Sequence, residues 1–539
     1  MTKGQKPKKK SKPSAVPASN TSMSPLIPSL ISWMAYAVLL LAAISRIFLG
    51  NVPMTRDEGT YSYMGRLAMK GFTPYQDFYE MKPPALYYLY GAGASIFGYT
   101  DLGLRIFGLV VNLISAFLLY LIIKRYAGHV YAVVAAALFT LMTINPYTFG
   151  LTMVAEHIVN PLLLLAFYLA HKGDDKKGVW WLILAGVSFA LAILTKQTAI
   201  VISPVFLLLF LFQKSSMHWF RQCLYFAGGV LIPAVLFFTG IWVSGAWSDA
   251  MYWLITYPAN YSSSIAVESG LKLLDHFFFQ ITLFQVTLFM VSGIAILGNL
   301  ILGRQKSQIW LFAYLLFALI TIIPGLRFYG QYWLLSFAPL AMLVAMLLHH
   351  LDALKRKTGM MAAGIIVLCM FFEMATHSEY YFIRGKSKEV EKLFSGNPFE
   401  PIRKLSRYAR DQMKPDETLM MFGSEPQVYL YAEQPSPTRH VFMAMLSEDH
   451  EKTPAYAEEV MVDLREKKPT YVLFNVFPYS WGITKNSNRE LYTDSYLYVK
   501  NQYSPVATYD MNQHRYLYAS DGATIDVNQP NQVILFKHR

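Results

Sequence analysis

Between Arg56 and Pro84 the sequence gathers side chains whose types and spacing could do chemistry. Arg56, Asp57 and Glu58 stand together; Tyr75, Asp77, Tyr79 and Glu80 follow; then comes Lys82 with Pro83 and Pro84 behind it, and Tyr87, Tyr88 and Tyr90 just beyond. Carboxylates can take up or release a proton, and an ammonium held on a stiff backbone can hold an anion. The two prolines supply that stiffness, because they fix their own φ and bias Lys82 toward an extended conformation. Each residue also has an ordinary reading. Asp57 suits a helix N-cap and Glu58 a first-turn acid favoured by the helix dipole. Lys82 suits a lysine that snorkels to headgroup level.

Stepping outward from these residues, Tyr61, Met64 and Ala68 fall at helical spacing and Gly71 supplies a stop, so the spacing predicts a helix that opens near Asp57 and lays an apolar face along a membrane surface. The membrane itself follows from composition. The chain of 539 residues is 54% hydrophobic, 15% aromatic and only 15% charged, against about a quarter charged in soluble domains. Its apolar residues collect in runs near the roughly 20 residues that cross a bilayer. Eleven spans are expected, at 26–48, 101–123, 129–146, 150–171, 178–195, 197–213, 222–244, 276–302, 308–325, 331–349 and 358–376. The first is too long for a cleaved leader and lacks a small-residue cleavage site.

The net charge of +13 lies largely in the start Lys6–Lys12 and in short loops, which speaks for membrane topology and against a nucleic-acid partner. Lys124, Arg125, Lys172, Lys176, Lys177, Lys214, Arg221, Arg304, Lys306, Lys355, Arg356 and Lys357 all fall after even-numbered spans, so these loops join the basic tail 1–25 on the cytoplasmic side. The loop 49–100, the loop 245–275 and the segment 377–539 then face outward. The last carries strand-like runs at Leu419–Phe422, Tyr471–Phe474 and Val533–Phe536 and a helical pattern at Tyr456–Glu466, and reads as a small α/β domain outside the membrane. The fold class is thus a polytopic α-helical membrane domain, 26–376, with a C-terminal extracytoplasmic α/β domain. Cys223 and Cys369 both lie in apolar runs, so neither a disulfide nor a thiolate metal site is expected.

Further polar residues stand where they are costly. Glu156 beside His157 is the one acid in the apolar stretch Phe149–Ala170, and acids at such depth are usually functional, although a hydrogen bond to a neighbouring helix would also account for it. His157 suits a satisfied structural histidine. Lys196 marks the turn between the fifth and sixth spans. Arg327 lies in an outward loop, where interfacial cations are scarce.

The pattern Arg56-Asp57-Glu58-x-x-Tyr61, followed by Lys82-Pro83-Pro84-x-x-Tyr87, resembles the first-loop signature of the GT-C superfamily of membrane glycosyltransferases, in the branch of the lipid A aminoarabinose transferases and protein O-mannosyltransferases. Looser echoes are Ala155-Glu156, Leu194-Thr195-Lys196-Gln197 and Arg327-Phe328-Tyr329-x-x-Tyr332 with Pro339. One departure is Gln331-Tyr332, where the family often has His before the aromatic. The resemblance implies an inverting transfer from a polyprenyl-phosphate-linked sugar to an acceptor hydroxyl at the outer face of a bacterial cytoplasmic membrane. Asp57 would be the catalytic carboxylate, with Glu58 beside it; Lys82, Arg327 and Lys196 would hold the donor phosphate; Glu156, with His157, would be the second site acid. Tyr61, Tyr79, Tyr87 and Tyr329 would line the substrate, although interfacial aromatic belts are an equally ordinary reading.

The partners expected are therefore the lipid-linked donor, a hydroxyl acceptor of open class and membrane lipid. No cofactor is expected, with a divalent metal left open. No GxxxxGK[ST] motif is present, in keeping with a lipid-linked donor. The competing class is a transporter or lipid flippase, but those show internal repeats and broken helices near the midplane, whereas the charges here gather on one side.

Overall fold

A chain inside lipid must satisfy its backbone within itself, so the apolar runs become helices. The computed structural model describes residues 26–173, 178–213, 215–263, 265–303, 308–355, 357–383, 396–484 and 487–539. The basic start 1–25 and Lys176, Lys177, Lys214, Arg304, Lys306 and Arg356 lie outside the described residues. Among the described residues six helices are long and apolar enough to cross a membrane: Leu26–Phe48, Asp101–Ala127, Gly178–Thr195, Trp219–Val243, Gly330–Leu354 and Thr358–Thr376. Shorter apolar helices run over His129–Met142, Ala155–Ala170, Gln197–Phe212 and Ile309–Ile320. The straight span expected over 276–302 is instead two helices, Val267–Phe284 and Val286–Leu302, meeting at 103°.

Burial sorts the bundle. The best window of Gly330–Leu354 is 89% buried, so this helix is the centre, as expected for a helix apolar all round. That of Trp219–Val243 is 17% buried and leaves Leu231, Leu236 and Val243 on the rim that lipid would cover.

The C-terminal region carries a five-stranded sheet in the order β1-β2-β5-β3-β4: β1 Leu419–Phe422, β2 Tyr471–Asn475, β3 Tyr503–Asp510, β4 Arg515–Tyr518 and β5 Gln532–His538. β1 and β2 are parallel, with the helix Thr453–Lys467 between them in sequence; the other pairings are antiparallel. β1 and β2 are buried throughout, so they read as continuous apolar runs. Their residues alternate between two clusters. Leu419, Met421 and Leu473 pack with Tyr61, Tyr63 and Met64 of the first loop, while Met420, Phe422 and Phe474 pack with Tyr79 and Trp253. The sheet is therefore joined through both faces to elements of the membrane part.

The first loop holds two helices, Arg56–Met69 and Ala85–Phe97. Thr55, not Asp57, occupies the N-cap position, and Gly71 follows the end at φ 90°, a conformation that suits glycine. The first helix does not lie open along a surface. It is buried between Ala85–Phe97 and the tail helix Gln427–Tyr431. Gly65 makes this contact close enough to matter, since a Cβ there would stand 2.7 Å from the backbone nitrogen of Gly91.

Because the neighbour is backbone, it cannot turn aside. Gly65→Val is expected to destabilise the protein by at least about 1–3 kcal/mol. Gly228→Val, where nothing lies within 4 Å, should be near neutral. Thermal unfolding of the two variants in detergent checks this; equal melting temperatures would contradict it.

Candidate active site

The Arg56–Met69 helix presents its first turn in two directions. Glu58 points inward and is wholly buried. Its carboxylate accepts hydrogen bonds from Arg105 Nη1, from Arg105 Nη2 at 3.2 Å, from the Met153 amide at 2.7 Å and from the Thr55 amide at 3.0 Å. Asp57, one residue earlier, points the other way into a cavity of about 1230 Å³. Among the described residues its carboxylate makes no hydrogen bond or ion pair. Burial raises its pKa, with Lys82 opposing and Glu80 and Glu156 adding to the rise.

Lys82 reaches the same cavity from a strapped segment. Its carbonyl accepts from Tyr75 Oη at 2.8 Å and Tyr87 Oη at 3.2 Å, and the Met81 carbonyl accepts from Gln197 Nε2 at 2.6 Å. Tyr75 is buried at φ 70°, off the usual region for a tyrosine, and these bonds keep it there. Lys82 Nζ lies 3.3 Å from Glu80 Oε1, and the Lys82 amide donates to Glu80 Oε2 at 2.9 Å. Burial alone would lower the Lys82 pKa, but Glu80 and Asp57 together raise it, so the ammonium stays charged.

The far wall comes from distant sequence. Glu156, at the start of Ala155–Ala170, pairs with Lys196, whose Nζ sits 3.9 Å from the centre of the Tyr332 ring. The Arg327 guanidinium lies 3.7 Å over the Tyr261 ring and donates to Tyr329 Oη at 3.5 Å. The roof is the C-terminal region. Arg56 Nη2 donates to Glu425 Oε1 at 2.7 Å, and Glu425 is itself buried and accepts from Ser480 Oγ at 2.6 Å and Asn475 Nδ2 at 3.1 Å. Glu448, whose Oε2 accepts from Tyr257 Oη at 2.8 Å, also lines the cavity; burial raises its pKa against Tyr257 and Arg327.

Seven of the residues singled out by sequence thus share one cavity: Asp57, Lys82, Glu156, Lys196, Arg327, Tyr61 and Tyr329. Four do not line it. Glu58 is spent on Arg105. His157 is buried in its helix, with Nε2 unpartnered among the described residues. Tyr79 is stacked on Trp253 at 4.5 Å between centroids, with its hydroxyl against His440. Tyr87 is buried and braces Lys82 and Glu80. The cavity also takes in Glu80, Tyr261 and Glu448. Glu80 had a signal, an acid two residues before a rigid lysine; Tyr261 and Glu448 had none. Among the described residues no group of three or more His, Cys, Asp or Glu side chains is placed to hold a metal ion.

Residues 81–242 match the family model described as dolichyl-phosphate-mannose-protein mannosyltransferase. No curated protein sequence matches the chain. In fold, the chain is similar to ArnT from Cupriavidus metallidurans bound to undecaprenyl phosphate, at TM-score 0.59 and 12% identity, covering 94% of this chain and 98% of that one. The apo form of that protein superposes at TM-score 0.55 with 12% identity, over 94% and 97% of the chains. The oligosaccharyltransferase of Archaeoglobus fulgidus is more distant, at TM-score 0.48 and 13% identity over 93% and 74%. The chain thus shares its fold with ArnT along nearly the whole length of both chains. The matched segment carries Lys82, Glu156 and Lys196.

The opposed roles of Asp57 and Glu58 can be separated. Glu58→Ala strands the Arg105 charge in the interior and is expected to cost about 3–5 kcal/mol, seen as lower yield and melting temperature. Asp57→Asn should melt like the native protein. A Glu58→Ala variant with native melting temperature would remove Glu58 from the role of anchor.

Proposed function

We propose that the protein is an inverting glycosyltransferase that moves a sugar from a polyprenyl-phosphate donor to an acceptor hydroxyl at the outer face of the cytoplasmic membrane. The observation that carries this reading is the unpaired Asp57 carboxylate facing the same cavity as Lys82, Lys196 and Arg327. Displacement at the anomeric carbon requires the acceptor hydroxyl to lose its proton as it attacks, and Asp57 takes that proton. The bond to the phosphate breaks from the opposite face, so the configuration inverts and the electron pair leaves on a phosphate monoester. That gain of negative charge is met by fixed cations rather than by a general acid. Arg327 offers a planar fork and the two lysines offer point charges. No metal step enters this reading.

In this reading the chain crosses the membrane eleven times, by the six long helices, the bent pair and the four shorter apolar helices. Lys172 and Lys355 follow the ends of Ala155–Ala170 and Gly330–Leu354, whose starts carry the cavity residues Glu156 and Tyr332, which supports a cytoplasmic side for these lysines, with the cavity and the sheet outside a bacterial inner membrane. The family match and the fold support a transferase over a transporter. The neighbour's bound undecaprenyl phosphate supports the same class of donor here. Sugar and acceptor stay open among glycolipid, polysaccharide and protein.

Two measurements test this reading. Asp57→Asn is expected to lose transfer, by at least about a hundredfold for a general base, while still binding the donor lipid, whereas Lys82→Ala weakens donor binding. Native-like transfer by Asp57→Asn in purified form would overturn the assignment. The second is pH dependence. Because the Asp57 pKa is raised, the base form is present above that raised pKa and is lost as pH falls through it, so kcat/KM should have its acid limb above the ordinary carboxylate range. Glu80→Gln removes one of the anions that raise it, and the limb should move to lower pH. A limb that stays put or moves up would show that Asp57 is not the titrating base.

A further inference from the structure

A second recess lies apart from the cavity and shares no lining residue with it. Its volume is about 380 Å³, and Asn51, Asp101, Leu102, Arg403 and Arg407 are among the residues that form it. Its level is set by the chain. Asn51 stands just past the end of the span Leu26–Phe48, and Asp101 opens the span Asp101–Ala127. The recess therefore sits at a membrane boundary, with the tail helix Phe399–Gln412 closing it from above.

The two arginines do different work. Arg403 is committed to the protein: Nη1 donates to the Asn51 carbonyl at 2.8 Å and to Asp101 Oδ2 at 3.0 Å, and Nη2 donates to Glu400. Arg407, one turn further on, has a half-exposed side chain, lies 4.0 Å from Asp101 Oδ2 and makes no hydrogen bond among the described residues. Its guanidinium donors are available to an anion. Within the recess, Leu102 exposes apolar surface, at 45%. A cationic fork above an apolar rim at headgroup depth matches a phosphate with acyl chains attached, and it stands on the side where interfacial cations are otherwise scarce.

We infer that this recess binds the phosphate headgroup of an anionic membrane lipid, with Arg407 as the principal ligand. Asp101, the floor of the recess, also accepts from the Met54 amide at 3.0 Å and from Tyr431 Oη at 2.5 Å. Met54 lies just before Arg56 and Asp57, and Tyr431 belongs to the tail, so a lipid held here reinforces the junction between the tail and the segment that leads into the Asp57 helix. The inference uses the proposed orientation only for its charge argument, and its test does not require sugar transfer.

The test titrates the purified full-length protein in detergent with phosphatidylglycerol, with phosphatidylcholine of the same chains, and with inorganic phosphate, reading lipid retention by native mass spectrometry. Phosphatidylglycerol is expected to be retained in preference to phosphatidylcholine. Arg407→Gln is expected to weaken that retention about fivefold, the contribution of one basic residue at a lipid surface; Arg407→Lys should keep most of it. Within the protein Arg407 makes only a 4.0 Å ion pair with Asp101 and a 5.6 Å contact with the Tyr431 ring, so either change should shift the melting temperature without lipid only slightly. Equal retention of the two lipids, or unchanged retention by Arg407→Gln, would overturn the site. Displacement of phosphatidylglycerol by millimolar inorganic phosphate would overturn the lipid as its occupant.

Discussion

The buried pair between Glu58 and Arg105 is the constraint on which the site rests. Removing two charges from water is expensive, and such a pair holds only when the remaining lone pairs are satisfied. Here they are, through the amides of Thr55 and Met153. The carboxylate therefore joins three segments distant in sequence: the start of the Arg56–Met69 helix, the span Asp101–Ala127 and the turn before Ala155–Ala170. Since Asp57 precedes Glu58 directly and Glu156 follows Met153 by three residues, one interaction fixes where both cavity acids stand relative to each other.

The tail is locked to the same helix from the other side. Arg56 donates to Glu425, and Gly59 lies so close to Gln427 that a Cβ there would overlap its side chain. One face of the sheet continues into Tyr61, Tyr63 and Met64, the other into Tyr79 and Trp253. The first-loop helix is thus held between membrane bundle and tail, and its first turn has one direction left in which to present a carboxylate.

This arrangement explains what could be read from the residues alone. Helix positions were legible because an apolar run in lipid has few alternatives, and the three strands at Leu419, Tyr471 and Val533 were legible because they are buried on both faces. β3 and β4 were not, since their polar, partly exposed patterns resemble loop. The bend between Phe284 and Val286 was hidden inside a continuous apolar run. In the site, Asp57 and Lys82 stood out through local chemistry, a helix start and a proline-stiffened lysine. Glu58 could not be separated from Asp57 locally, because only its distant partner Arg105 tells the two apart. Glu448 and Tyr261 were invisible because nothing local to them marks a cavity.

The cavity's cations have partners before any substrate arrives. Lys82 faces Glu80, Lys196 faces Glu156, Arg56 faces Glu425, and Arg327 lies over Tyr261. A donor phosphate entering beside Lys82 adds an anion near Asp57, and a like charge in a partly buried place raises the proton affinity of a carboxylate. On the proposed function, loading of the donor thus makes Asp57 a stronger base at the moment an acceptor hydroxyl needs one. When the sugar has gone, the phosphate carries more charge, and Glu80 and Glu156 compete with it for the same two ammonium groups. Carboxylates that look like mere partners of the lysines therefore limit how tightly the spent carrier is held, and so favour its release.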